Sequence, residues 1–220
     1  MSKGQSLFNF GKYTFTSWAR RGVGNSILPN GTSAVRARIP LSITLSTDPT
    51  TPLKPDVELL GPSDVASFSR KAIVRTTPLD GDYGFEWNLL PYVEFYDEDF
   101  LWRYTPDAPD GNKNLSPWLA LVVLKEGEFT ELPSQRGALS AIRLQTAALP
   151  KVADGHLWAH MHTGEYAGVT ATALDLVLSQ VNDNVKRDPD GFTCRLMSPR
   201  RLDPRTFYHA FVVPAYESGR

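Results

Sequence analysis

One stretch, Phe85 to Leu124, constrains this chain more than any other. It reads FEWNLLPYVEFYDEDFLWRYTPDAPDGNKNLSPWLALVVL and holds three of the five tryptophans, Trp87, Trp102 and Trp118. Aromatic and β-branched residues favour extended backbone, and their broad rings serve for packing or for contact with another protein. The stretch ends in a nearly unbroken apolar run, Trp118 to Leu124. It is a rigid β framework, poor in paired nucleophiles, bases and phosphate loops.

The rest of the chain extends that framework. Residues 10–21 predict a first strand. Val35, Ala37, Ile39, Leu41, Ile43 and Leu45 alternate with polar residues and Pro40, which predicts one long half-buried strand with Pro40 at an edge or a bulge. Residues 47–56 (TDPTTPLKPD) predict a proline-rich loop. A short helical turn follows Gly61, with Ser63 or Asp64 as its cap. Further strands are predicted at 71–75, 92–96, 118–125, 139–145, 156–162, 192–197 and 206–213, and a long polar loop at 105–117. Leu174, Val177, Leu178, Val181 and Val185 fall on one face at helical spacing, predicting one amphipathic helix over 170–186 that ends before Asp188-Pro189. The fold class is therefore mainly β (α+β), a largely antiparallel sheet, sandwich or barrel-like domain. Residues 1–220 form one domain, with a candidate subdivision near 126–137.

Charge narrows the partners. Lys and Arg number 23 against 24 Asp and Glu, a net charge of −1. That lacks the basic footprint of a nucleic-acid binder, and near-neutrality leaves little repulsion between copies. Cys194 is the one cysteine, which excludes an intrachain disulfide and fits a reducing compartment. Its simplest role is a small buried hydrophobe. The N-terminus lacks a secretory apolar core and no apolar run reaches bilayer length. The expectation is synthesis in the cytoplasm, no direct membrane insertion, and export only by carriage on a larger particle or by lysis.

Chemistry has few footholds. His156, His160 and His162 lie in HLWAHMH. On a strand, His160 and His162 share a face with Trp158 and form the weak metal candidate, with Glu165 or His209 as a third ligand. The simpler reading is a polar sheet face. Asp97, Glu98 and Asp99 lack the glycine and distal glutamate of a calcium loop; a charged strand end pairing with Arg103 suits them better. The segment 198–205 carries Arg200, Arg201 and Arg205, suited to an anion or, more simply, to bridging acidic neighbours. Trp87, Trp102, Trp118 and Trp158 have the rings to stack on sugars, though packing is their commoner use. No nucleophile elbow, phosphate loop or dinucleotide fingerprint occurs. No catalytic residue and no cofactor is expected.

The succession GPSDVASF, RKAIVRTTP, FEWNLLPYVEFYDEDFLWRYTP, LSPWLALVVL and LMSPRRLDPRTFYHAFVVPAYESGR resembles a family of structural proteins associated with contractile injection systems. These are phage-tail-like particles with a sheath, an inner tube and a baseplate. The likeness runs from about Val35 to the C-terminus; FLWRYTP and FVVPAYESGR are its most distinctive parts. Relatives often continue beyond the last motif, so both a compact form and an N-terminal piece of a longer architecture stay open. The resemblance implies a non-enzymatic baseplate or cap component that carries no catalytic residue. Its expected partners are sheath, tube or baseplate subunits and copies of itself in a ring. Trp102, Arg103, Tyr104, Pro106, Pro109, Arg200 and Arg201 are the interface candidates. The alternatives are a metal-dependent hydrolase using His160 and His162, or a carbohydrate-binding module using surface tryptophans.

Overall fold

The computed structural model describes residues 14–16, 38–45, 48–108, 110, 114–133, 141–163 and 174–216. In chain order the first strands are β1 (Thr14–Thr16), β2 (Arg38–Pro40), β3 (Ile43–Leu45), β4 (Asp48–Leu53), β5 (Asp56–Glu58), β6 (Ile73–Thr77) and β7 (Tyr92–Tyr96). Then come β8 (Leu119–Lys125), β9 (Phe129–Leu132), β10 (Ala141–Leu144), β11 (Ala159–Thr163), helix α1 (Leu174–Arg187), β12 (Phe192–Met197) and β13 (Tyr208–Pro214). The protein is a β-rich α+β fold built from small antiparallel sheets. Among the described residues no helix is long and apolar enough to cross a membrane.

The main sheet runs β1-β11-β12-β7-β6, every neighbour antiparallel. Alternation decides what each face carries. Val93 and Phe95 of β7, Ala159 and Met161 of β11, and Phe192, Cys194 and Leu196 of β12 point to one side and are buried. They form the core with Phe100, Leu101, Trp102, Leu115, Trp118 and Leu119, Leu121 and Val123 of β8, and Val181 and Val185 of α1 join them. β8 pairs with β13. Val122 and Leu124, on its other face, are equally buried, which explains the unbroken apolar run in the sequence.

Two indoles stitch the segment between β7 and β8. Trp102 Nε1 donates to the Leu115 carbonyl at 2.9 Å and Trp118 Nε1 to the Phe100 carbonyl at 2.7 Å. Thr105 Oγ1 adds a bond to the Ser116 carbonyl at 2.7 Å. A buried indole N–H needs such a partner, and a nearby main-chain carbonyl supplies it without ordering another side chain.

Several expectations are corrected. The strand expected over 35–46 is two short strands, β2 and β3, and its described residues are exposed or half-buried, with no core face; positions 35–37 and 46 lie outside the described residues. The loop expected at 47–56 is largely β4 and β5. Together they make a long hairpin arm: β2 pairs β5, β3 pairs β4, and Leu41 N donates to the Pro55 carbonyl between them. A two-stranded ribbon has only edge strands, so it accommodates Pro40, Pro49, Pro52 and Pro55, which a central strand would exclude. A register shift between Ile43 and Leu45 absorbs the extra residues of β4. The described strands close no barrel, since the main sheet ends at β1 and β6. The strand expected at 156–162 begins only at Ala159, because residues 152–157 wind into a 3-10 turn. The cap expected at Ser63 or Asp64 is corrected as well: the turn is Pro62–Asp64 with Gly61 as its N-cap, and Asp64, its third residue, reaches back to accept from Gly61 N at 2.8 Å.

Candidate functional site

The side of the main sheet opposite the core carries a polar cluster drawn from four strands. β7 places Tyr92 and Glu94 there, β12 places Thr193 and Arg195, β11 places His160 and His162, and β6 brings Arg75 opposite Glu94. Alternation alone puts these residues on one face.

Glu94 is 4% exposed and collects three donors. Arg75 Nε reaches Oε2 at 2.8 Å, Arg195 Nη2 reaches Oε2 at 3.1 Å, and Thr193 Oγ1 reaches Oε1 at 2.7 Å. The Arg195 guanidinium lies 4.0 Å from the Tyr92 ring centroid, a stacked cation–π contact. Burial works to raise the Glu94 pKa, but the bonds from Thr193, Arg75 and Arg195 outweigh it and hold the carboxyl below the ordinary range. Glu94 is thus an ionised, saturated acceptor that ties three strands together. A carboxylate stabilised this way makes a poor general base.

His160 faces Arg195 across the ladder and His162 faces Thr193. Burial, helped by the charge of Arg195, lowers both imidazoles, and His162 is pushed down to about 3. Both are neutral at ordinary pH. The expected third ligands do not join them: His209 sits on β13 against Phe129, ring centroids 5.1 Å apart, and Glu165 lies outside the described residues. Among the described residues no three His, Cys, Asp or Glu side chains converge on a metal position. Trp158 ends the 3-10 turn before β11, so it does not share the strand face expected of it.

The other candidates scatter. Trp102 is 1% exposed, so its ring belongs to the core and is closed to a partner or a sugar; Trp118 is buried likewise. Trp87 is 56% exposed. Tyr104 packs edge-on against Trp118 at 5.0 Å. Pro106 is half-buried, and Pro109 lies outside the described residues. Arg103 pairs with Asp97 at 2.9 Å and with Asp99 at 2.6 Å, the local pairing that the spacing suggested. Asp97 itself turns the chain out of β7 with φ at 64°, a left-handed conformation Asp tolerates better than most residues. Arg200 bridges to Glu128 and to the Val123 carbonyl, pinning the 198–205 segment to the β8–β9 turn. Arg201 is exposed. The candidate boundary near 126–137 is therefore crossed by the Arg200–Glu128 pair and by Phe129 packed on Phe211. Cys194 is fully buried, and burial raises its thiol pKa far above the ordinary value.

Comparisons with protein-family models, curated proteins and solved structures return no match to this chain. Function must be argued from the residues themselves.

What the sequence did not point to is the arm. Leu41, Ile43, Leu45, Leu53 and Val57 are 41%, 43%, 46%, 54% and 41% exposed. A second exposed apolar feature is an edge-to-face pair, Tyr83 with Phe207, ring centroids 6.1 Å apart. Tyr83 is 86% and Phe207 69% exposed.

Proposed function

We propose that the protein is a non-enzymatic structural subunit of a phage-tail-like contractile particle, a baseplate or cap component that works as a rigid adaptor. The resemblance carried by FLWRYTP and FVVPAYESGR supplies the particle. The hairpin arm supplies the mechanism, and it is the observation on which the reading rests. An isolated two-stranded hairpin is at best marginally stable in water, and this one leaves five large apolar side chains 41–54% exposed. Apolar surface held out on a proline-stiffened ribbon gains most when another chain covers it. The polar face of the main sheet supports the same reading, because its carboxylate is consumed in holding strands together. The body acts as a fixed platform, and the arm and the Tyr83–Phe207 pair serve as contact points, with copies arranged in closed symmetry.

Co-expression with the sheath, tube and baseplate proteins of such a particle, followed by affinity capture, tests the proposal. Stoichiometric capture of at least one subunit is expected. A chain that captures none of them and leaves particle assembly intact when deleted refutes it.

A further inference from the structure

We infer that the exposed aromatic patch around Tyr83 and Phe207 is a two-fold contact between copies of this chain, the acidic loop of one copy lying on the arginine-bearing segment of the other. This rests on the reading of the protein as an assembling subunit and names the partner at one of its contact points.

The loop after β6 and the segment before β13 build the patch. Tyr83, Phe207 and Leu79 are the three most exposed large apolar residues among those described, at 86%, 69% and 66%. Trp87 and Leu89, in the same loop as Tyr83, are 56% and 48% exposed. Both sides are held in shape. Asp82 N donates to the Leu79 carbonyl at 3.0 Å, Gly84 N to Asp82 Oδ1 at 2.8 Å, and Leu89 N to the Glu86 carbonyl at 3.0 Å. On the other side, Asp203 N donates to the Tyr208 hydroxyl at 2.8 Å and Lys125 pairs with Asp203. A surface fixed this way loses little freedom on binding.

Charge says what covers the patch. Asp80, Asp82 and Glu86 share the loop with Tyr83, and no Lys or Arg lies between Leu79 and Leu89. Beside Phe207, Arg200 is spent on Glu128 and Asp203 on Lys125, which leaves Arg201 and Arg205 exposed. None of these three acids and two arginines forms an ion pair with another described residue. The Tyr83–Phe207 contact thus joins an acidic flank to a basic one. A two-fold rotation lays each flank on its opposite, an isologous match in which the same patch serves both copies. A partner of a single charge sign is repelled at one flank, and a sugar leaves both charges unanswered. The area suffices as well. A large aromatic side chain offers roughly 200 Å² and a leucine somewhat less, so the five apolar residues at their exposures present on the order of 600 Å² per copy. A facing pair buries about 1,200 Å² of apolar surface, which reaches the range of specific interfaces before the charged flanks are counted.

Sedimentation velocity of the full chain over a dilution series tests this. The wild type should pass from dimer to monomer on dilution. Tyr83→Ser and Phe207→Ser should each weaken association about tenfold or more, as truncating a central interface aromatic does, while Ile43→Lys on the arm leaves it within about twofold. Charge exchange identifies the partner. Arg201→Glu with Arg205→Glu in one protein, and Asp80→Arg with Glu86→Arg in another, should each abolish self-association. Mixing the two proteins should restore a dimer, because each copy then meets its opposite. Circular dichroism and melting of each variant confirm that the body keeps its fold. A wild type that is monomeric at every concentration, an association that both serine variants leave unchanged, or charge-reversed proteins that fail to pair on mixing overturns the inference. Capture of particle subunits is a separate measurement, so failure there does not mimic failure here.

Discussion

The β7–β12 ladder and the hairpin arm start from the same sequence device and end in opposite surroundings. Tyr92–Tyr96 and Phe192–Met197 alternate apolar and polar residues, as does Arg38 to Leu45. In the ladder both sides are covered: Phe95 and Cys194 are 0% exposed on one side, and Glu94 is 4% exposed on the other. In the arm neither side is covered, and even the apolar stripe faces out. The period of the pattern reports backbone conformation. Burial depends on what lies above and below the strand, which the strand itself does not encode.

That contrast can be broken most directly at Glu94. Glu94→Ala leaves the buried Arg195 without its counter-charge, and such losses cost about 3–5 kcal/mol. Urea unfolding should show it, and a change under about 1 kcal/mol would mean that the polar side of the sheet is far wetter than its burial implies. Acidification comes next. Both histidines have folded pKa values below the ordinary 6.5, His162 at about 3. The unfolded chain thus takes up protons that the folded one refuses. Stability should be full above about pH 6.5 and fall as pH drops toward 3, by no more than about 1.4 kcal/mol per pH unit for each proton. Glu94, held below 4.5, adds its loss beneath that value. Chemical denaturation at a series of pH values should give this slope, and His162→Gln should flatten it.

Trp118→Phe sharpens the view of the core. It removes the indole bond to the Phe100 carbonyl and some ring volume, for about 1–3 kcal/mol by thermal melting. Arg38→Ala, at the base of the arm, should cost the least, about 0.2–1 kcal/mol, because the Arg38–Glu58 pair is exposed. A larger effect there would show the arm to be part of the body's folding unit.

Much of the ladder is legible in the sequence. Tyr92–Tyr96 and Phe192–Met197 fall where alternation puts them, and α1 lies within its 3.6-residue pattern, because local periodicity carries that information. Arg103 meets Asp97 and Asp99 because four to six residues across a turn leave them little choice. Glu94 and Arg195 are a different matter: 101 residues separate them, and nothing local in VEF or CRL announces the pairing. Trp102 misleads for a related reason. Its neighbours Arg103 and Tyr104 give the motif a surface look, but the turns after β7 carry the indole inward to the Leu115 carbonyl. The prolines of residues 49–55 read as a loop because the exclusion of proline from strands presumes a central one, and the arm has none.

The order of strands in the main sheet has a consequence for synthesis. The ribosome delivers β6 and β7 together, yet β12, which must lie between β7 and β11, is finished only at Met197. Until then a nascent chain holds β7 with one side open, Glu94 lacking Arg195 and Thr193 and Phe95 lacking its ladder partner Cys194. Contacts of such long sequence separation form late and slowly. The emerging polypeptide therefore passes the whole stretch from Tyr96 to Met197 with that edge on view, a natural point for a chaperone to engage before the last segment arrives.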